Sequence, residues 1–275
     1  VGGSDGFHPV PHRPGLRKPM AFIGLRSCDL HAIDRLDRVC LRRDFRDPDY
    51  AARRKNLFTL ALHCTEPGGT CFCSATGTGP RVEQGGDVCL TEISDKAEHF
   101  FVAEARSRYG KRLMGRLAAA PASAADRGRS AALLSRSDGA MPRTLPTPGL
   151  KEALYASIES ERWQTAAAAC LSCGSCTAVC PTCFCSDWID HSDLAGESTA
   201  RIRVRDSCFH LDFSYLHGGV VRTSTPSRYR HFVLHKLATW HDQFGTSGCV
   251  GCGRCITWCP AGIDITATRS EERRV

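Results

Sequence analysis

No apolar run in the chain is long enough to cross a bilayer as a helix, which takes about 20 residues. The opening stretch, Val1-Gly2-Gly3-Ser4-Asp5-Gly6, is polar and glycine-rich, so no secretory signal is expected there. The chain does not start with Met, and upstream residues are expected to be missing. The sequence has no H-E-x-x-H, no nucleophile elbow and no Ser-His-Asp set, and its histidines are scattered. Bond-making chemistry on this polypeptide is therefore not expected. Residues 77–86 are glycine-rich but match neither G-x-G-x-x-G nor a P-loop, and they do not lead into a helix, so no nucleotide site is assigned. The net charge is +7, but basic runs such as Arg53-Arg54-Lys55 and Lys111-Arg112 belong to no nucleic-acid motif. A solvated face or an acidic protein partner is the better reading of that charge. No membrane and no nucleic acid are expected as partners.

Cysteine is abundant: 17 in 275 residues. The count is odd, and the chain is neither short nor visibly secreted, which argues against a disulfide framework. Metal ligation in a reducing cytoplasm fits better. Two runs stand out. Cys170, Cys173, Cys176 and Cys180, followed by Pro181, repeat the spacing of Cys249, Cys252, Cys255 and Cys259, followed by Pro260. C-x2-C-x2-C-x3-C-P is the ferredoxin-type spacing for a four-iron cluster. Three thiolates on one tight loop reach three corners of a cube, and the fourth is carried off by a helix to the other cluster. Pro181 and Pro260 suit the first turn of that helix. The spacing predicts cluster A on Cys170, Cys173, Cys176 and Cys259, and cluster B on Cys249, Cys252, Cys255 and Cys180. A pair of four-cysteine zinc sites would normally show paired C-x2-C with a long gap instead.

The remaining cysteines follow the predicted elements. Met20 to Leu25 reads as a buried strand ending at Arg26-Ser27-Cys28-Asp29. A helix with Leu30, Ile33, Leu36 and Val39 on one face comes next, and a second strand, Asn56 to Leu62, ends at His63-Cys64. Strand, helix, strand is the crossover unit of a parallel sheet, whose sites form at the carboxyl ends of the strands. Cys28 and Cys64 lie just past two such ends, with Cys71 and Cys73 on the next loop. The four could hold a third cluster, a zinc ion, or nothing, since C-x6-C-x-C is not a standard cluster spacing. Cys40 and Cys89 read as small buried hydrophobes. Cys183, Cys185 and Cys208 could shield the nearby cluster or bind a further metal.

Asp87 to Ile93 and His99 to Ala103 read as strands, and Glu104 to Ala119 and Leu150 to Ala169 as helices. Ser227 to Asp242 reads as a helix made cationic by Arg228, Arg230, His231, His235 and Lys236, either packed with a solvated face or docking an acidic partner. The expected fold class is α/β (α+β): an N-terminal parallel or mixed sheet domain over residues 1–119, an alanine-rich linker with a short helix over 120–149, and a mostly helical dicluster ferredoxin-like domain over 150–275.

Four stretches carry a resemblance: Arg26-Ser27-Cys28-Asp29-Leu30-His31; Cys64 to Pro80 with Cys71-Phe72-Cys73; Cys170 to Cys185; and Arg228-Tyr229-Arg230 through Asp264. On these the chain resembles the beta subunit of cytoplasmic sulfhydrogenases, the nickel–iron hydrogenases coupled to NAD(P)H, and its relative, the A-type subunit of anaerobic sulfite reductase. The double cysteine run is common to many ferredoxin-like proteins; the Cys-Asp-Leu-His and doubled Cys-Phe-Cys contexts are more specific. The resemblance implies a cytoplasmic electron-relay subunit. It would sit between the nickel–iron hydrogenase small and large subunits on one side and a flavin/NAD(P)H-binding subunit on the other, or beside siroheme sulfite reductase subunits. From a different class, a redox-sensing regulatory protein is the remaining reading.

Overall fold

The computed structural model describes residues 18–95 and 98–267. Strand β1, Met20–Leu25, leads directly into helix α1, Ser27–Cys40. The Asp29 carboxylate turns back to accept the Arg26 N–H at 2.9 Å, which fixes where that helix begins. A second helix, α2, Pro48–Lys55, has Pro48 in its first turn, and the Asp47 side chain accepts from Tyr50 N. Strands β2, Leu57–Leu62, β3, Val88–Ser94, and β4, His99–Ala105, complete a four-stranded sheet in the order β1-β2-β3-β4. The first two pairings are parallel and the third is antiparallel, so the sheet is mixed. Strand β1 is an edge strand and is not buried: Phe22 and Ile23 are 43% and 76% exposed. The α1 face against the protein is also rotated from the apolar stripe. Leu30, His31, Ala32 and Arg35 are buried, because Arg35 reaches across to donate to Ser247 O at 2.8 Å, beside the second cysteine run.

The expected helix from Glu104 starts late. Strand β4 continues through Ala105, and Ser107 caps α3, Arg108–Met114, by accepting from Gly110 N at 3.0 Å. Residues 120–149, expected as a linker with a short helix inside, hold a 16-residue helix, α4, Ala124–Gly139, which packs on β3 and β4. Leu134 and Ser137 are its buried contacts, and the Ser137 hydroxyl donates to Cys64 O. The expected helix from Leu150 to Ala169 is broken at residues 157–161 into α5, Leu150–Ala156, and α6, Arg162–Ala167.

After the first cysteine run, which carries the one-turn helix α7, Ser175–Ala178, an exposed hairpin forms from β5, Ser186–Ser192, and β6, Thr199–Arg205. Helix α8, Thr225–Leu234, continues through a π turn, His235–Thr239, into α9, Trp240–Phe244. The larger core gathers Trp163, Phe209, Tyr229, Phe232, Val233, Leu237 and Ile256, and also Phe72 from the N-terminal half, which has no exposed surface. The α8–α9 segment is packed, one of the two readings of Ser227 to Asp242, but its basic residues are not all on a solvated face, since Arg228 and Lys236 are buried at 8% and 4% exposure. No helix among the described residues is long and apolar enough to cross a membrane.

Candidate metal centres

Each cysteine run is a tight loop ending in a single helical turn. In the first, Ser172 and Gly174 take positive φ, 51° and 73°, so the chain curls around its own sulfurs. In the second, Gly253 does the same ahead of helix α10, Arg254–Thr257. One cavity is lined by Cys170, Cys173, Cys176 and Cys259, together with Cys255 and an apolar wall that includes Phe209, Tyr229 and Phe232. Burial pushes the Cys176 thiol up to about 12, and Cys170, Cys173 and Cys259 are the thiols that press on it. These are the four residues expected for cluster A.

The four expected for cluster B also come together. Burial pushes Cys249 up to about 12, reinforced by Cys180 and Cys252, while the Gly251 N–H donates to its sulfur at 3.4 Å and works the other way. Cys255 is raised by burial and then by Cys249, Cys180, Cys252 and Cys176. Cys176 belongs to the first set, so the two sets adjoin. A metal takes thiols as thiolates, so ligation releases the protons that burial now holds on them.

Cys28, Cys64, Cys71 and Cys73 line a third cavity of about 190 Å³, with Arg26, Arg254, Met141 and Cys252. Burial raises Cys28, as do Asp29, Cys252 and Cys73, whereas Arg254 lowers it. Cys73 is pushed up to about 12 by burial, then by Cys71 and Cys64. Two guanidiniums are fixed at this cavity: Arg26 donates to His63 O at 2.9 Å and Arg254 to the Asp29 carboxylate at 2.6 Å. The loop carrying Cys71 and Cys73 lies directly on the second cysteine run. Phe72 N donates to Gly251 O at 2.8 Å, Thr78 Oγ1 to Val250 O at 2.7 Å, and the Cys71 thiol to Cys252 O at 3.8 Å. The third cavity thus borders set B on one side, and set A borders it on the other.

The remaining thiols flank these sets. Cys183 hydrogen-bonds Cys180, and that bond, with Lys236 nearby, lowers the Cys180 thiol and raises Cys183. Cys208, 5% exposed, donates to Cys185, whose thiol is lowered to about 7 by that bond. Cys89 is buried beside Leu30, Ala61 and Val82, and Cys40 is half-buried at the end of α1. Among the described residues no three His, Cys, Asp or Glu side chains stand close enough to hold a single metal ion. A tetrahedral zinc site needs sulfurs about 3.8 Å apart, from Zn–S bonds of about 2.3 Å. The four N-terminal thiols, as they stand, do not make one, nor do Cys183, Cys185 and Cys208. An all-sulfur set spread around a cavity suits a soft, multi-iron group. Sequence reasoning did not assign Arg26, Arg254 and Lys236 to these cavities: Arg26 and Arg254 stand close to cysteines in the motifs, and Lys236 among other basic residues of its helix, but which cation meets which sulfur is set by contacts distant in sequence.

Paired, adjoining sets of four thiols, crossed between two runs, define an iron–sulfur protein of the dicluster kind, and residues 169–263 match the family of 4Fe-4S dicluster domains. Over 259 residues the chain is 33% identical to sulfhydrogenase 2 subunit beta of Pyrococcus furiosus, an alignment that covers 91% of this chain and 73% of that protein. The chain belongs to the sulfhydrogenase beta-subunit family. No solved structure matches it.

Proposed function

We propose that this chain is the electron-relay subunit of a cytoplasmic, NAD(P)-coupled nickel–iron hydrogenase, standing between the hydrogenase small and large subunits on one side and a flavin/NAD(P)H-binding subunit on the other. Cys170, Cys173, Cys176 and Cys259 would hold cluster A. Cys249, Cys252, Cys255 and Cys180 would hold cluster B. Cys28, Cys64, Cys71 and Cys73 would hold a third. Such clusters supply one-electron transfer at potentials set by burial, hydrogen bonds and local charge. The observation that carries the reading is the direct seat of the Cys71–Cys73 loop on the second run, through the Phe72 N to Gly251 O bond of 2.8 Å. With the Cys255–Cys176 neighbourhood on the other side, it supports reading the three thiol sets as one file.

The A end of that file faces outward: Cys173 is exposed, and Leu171 and Trp258, next to Cys170 and Cys259, are 69% and 64% exposed. These apolar side chains suit a protein partner that covers them. The functional division follows the same line: residues 1–119 carry the third set and residues 150–275 carry the crossed pair.

Iron and acid-labile sulfide per chain test the reading, on anaerobically purified protein with its native partners. About twelve of each are expected, and Cys64→Ala should leave about eight. Eight in the native protein would remove the third cluster. Nickel in the purified complex is expected; siroheme absorbance without nickel would move the chain to a sulfite reductase.

A further inference from the structure

Lys236 is the one basic residue of the π turn between α8 and α9 apart from His235, and it is 4% exposed. Its ammonium donates to Thr182 Oγ1 at 2.6 Å. Thr182 Oγ1 donates onward to Gly248 O at 2.8 Å and lies 3.2 Å from Cys180 Sγ. The lysine's own carbonyl accepts from Gly248 N at 2.8 Å and from Ser247 Oγ. One residue therefore grips the entrance to the second cysteine run with its backbone and sets its charge on Thr182 and Cys183, one hydroxyl away from the last cysteine of the first.

The largest electrostatic influences on the ammonium, after burial itself, are Cys180, Cys183 and Cys249. Among the described residues no carboxylate is paired with it. Removing an ammonium from water costs several kcal/mol unless an anion compensates it. Here the groups it faces are sulfurs, and two of them, Cys180 and Cys249, come from the two different runs and belong to one set; as thiolates, which is how a metal takes them, they would compensate the ammonium. The surroundings of set A are different: its cavity is walled by aromatic and aliphatic side chains, with no lysine or arginine among its lining residues. The cations nearest the first run meet oxygens instead: Arg228 donates to Ser172 Oγ at 3.2 Å and to the Arg222 and Thr223 carbonyls, and Arg205 to the Thr177 and Ala178 carbonyls. The two sets share a motif and differ in how fixed charge meets their sulfurs.

We propose that Lys236 sets the reduction potential of cluster B, holding it above the value that its thiolates and burial alone would give. This rests on the crossed assignment of cluster B. Adding an electron makes a thiolate-bound cluster more negative, and a fixed cation in a dry, low-dielectric site favours that state over the oxidised one. Because the ammonium is anchored by Thr182, its charge stays in place as the cluster changes oxidation state, and its own movement adds little to the reorganisation that opposes transfer. Two chemically similar cubes are thereby given different potentials by one residue outside both motifs. Lys236 is a positioning residue: it acts on the cluster through charge and bonds no iron.

The test is a spectroscopic redox titration of the intact complex, following clusters A and B separately by EPR, for the native protein and for Lys236→Met, Lys236→Gln and Lys236→Arg. The neutral variants should shift the cluster B reduction equilibrium toward the oxidised state by at least tenfold, which is 59 mV for one electron. The cluster A midpoint should stay within threefold of native, and Lys236→Arg should restore most of the cluster B value. Lys236→Gln keeps a donor for Thr182 and guards against Lys236→Met failing to fold. An unchanged cluster B midpoint in a neutral variant that holds the cluster overturns the proposal. So does an equal fall in the arginine variant, or loss of cluster B from all three, since each assigns the lysine a structural role only. If the native protein itself shows no cluster B signal, the crossed assignment has failed, and the proposal with it.

Discussion

Cys180→Ala and Cys255→Ala should abolish the same cluster, although the two residues lie on different runs, 75 positions apart. Cys176→Ala and Cys259→Ala should abolish the other. Each variant should lose about four of the twelve iron atoms expected per chain, and electron transfer through the chain should fall at least 100-fold. Cys180 and Cys249 both act on Lys236, and Cys255 feels Cys249, Cys180 and Cys252. Cys176 feels Cys170, Cys173 and Cys259. The measurement is iron content together with EPR of the dithionite-reduced protein. If Cys180→Ala instead gave the spectrum of Cys176→Ala, each run would serve its own cluster and the crossed assignment would be wrong. The effect should be large because a cluster that loses a ligand loses binding energy that is also folding energy. The one-turn helices α7 and α10 have few backbone bonds of their own to survive that loss.

The neighbourhoods behind that expectation, Cys259 beside the first run and Cys180 beside the second, were legible in the sequence because they depend on spacing, and spacing within a tight loop leaves the thiols few directions. The Cys28–Cys64 neighbourhood was legible for a similar reason: two parallel strands that end together place their next residues in one crevice. Other features were not. Helix α4 sits in a stretch of alanine, serine and arginine whose apolar face is too faint to read as periodic, and tertiary contacts on β3 and β4 decide its state. Of the β5–β6 hairpin, only Ile202 to Val204 within β6 reads as a strand from the sequence, while β5, Ser186–Ser192, lacks the alternation by which strands are recognised. Strand β1 is apolar in sequence yet exposed along its length, because it forms the sheet edge. Lys236 misled for a physical reason. A lysine on a helix is nearly always a solvated charge, and only a buried anion from distant residues turns it inward. That anion is supplied by residues 13 positions after it and 56 before it, a pairing that no local pattern carries.

The junction between the third cavity and cluster B depends on two residues without side chains, and filling one of them should break it. A Cβ on Gly253 would sit 2.2 Å from Thr70 O, and one on Gly251 would sit 2.6 Å from Cys73 Cα. Both contacts are to backbone, which cannot swing aside as a flexible side chain would. Both glycines also have positive φ, +70° and +58°, which costs a non-glycine residue about 1–2 kcal/mol by itself. Gly262 provides the control: its φ is +66°, and nothing lies within 4 Å of the position its Cβ would take. Gly262→Ala should therefore cost only the backbone term, about 1–2 kcal/mol, and leave all iron in place. Gly253→Ala should cost that plus overpacking of about 1–3 kcal/mol, and it should push the Cys71–Cys73 loop off the second run. Chemical denaturation of the anaerobic protein gives the stability difference, and iron per chain gives the consequence. The expected result for Gly253→Ala is a fall toward eight iron with clusters A and B intact, and slowed transfer from the N-terminal side. If Gly253→Ala matched Gly262→Ala in both stability and iron, the two loops would not be in close contact, and the file of thiol sets would end at cluster B. The comparison separates strain at one residue from contact between two halves of the chain, and only the contact extends the electron path into the N-terminal sheet domain.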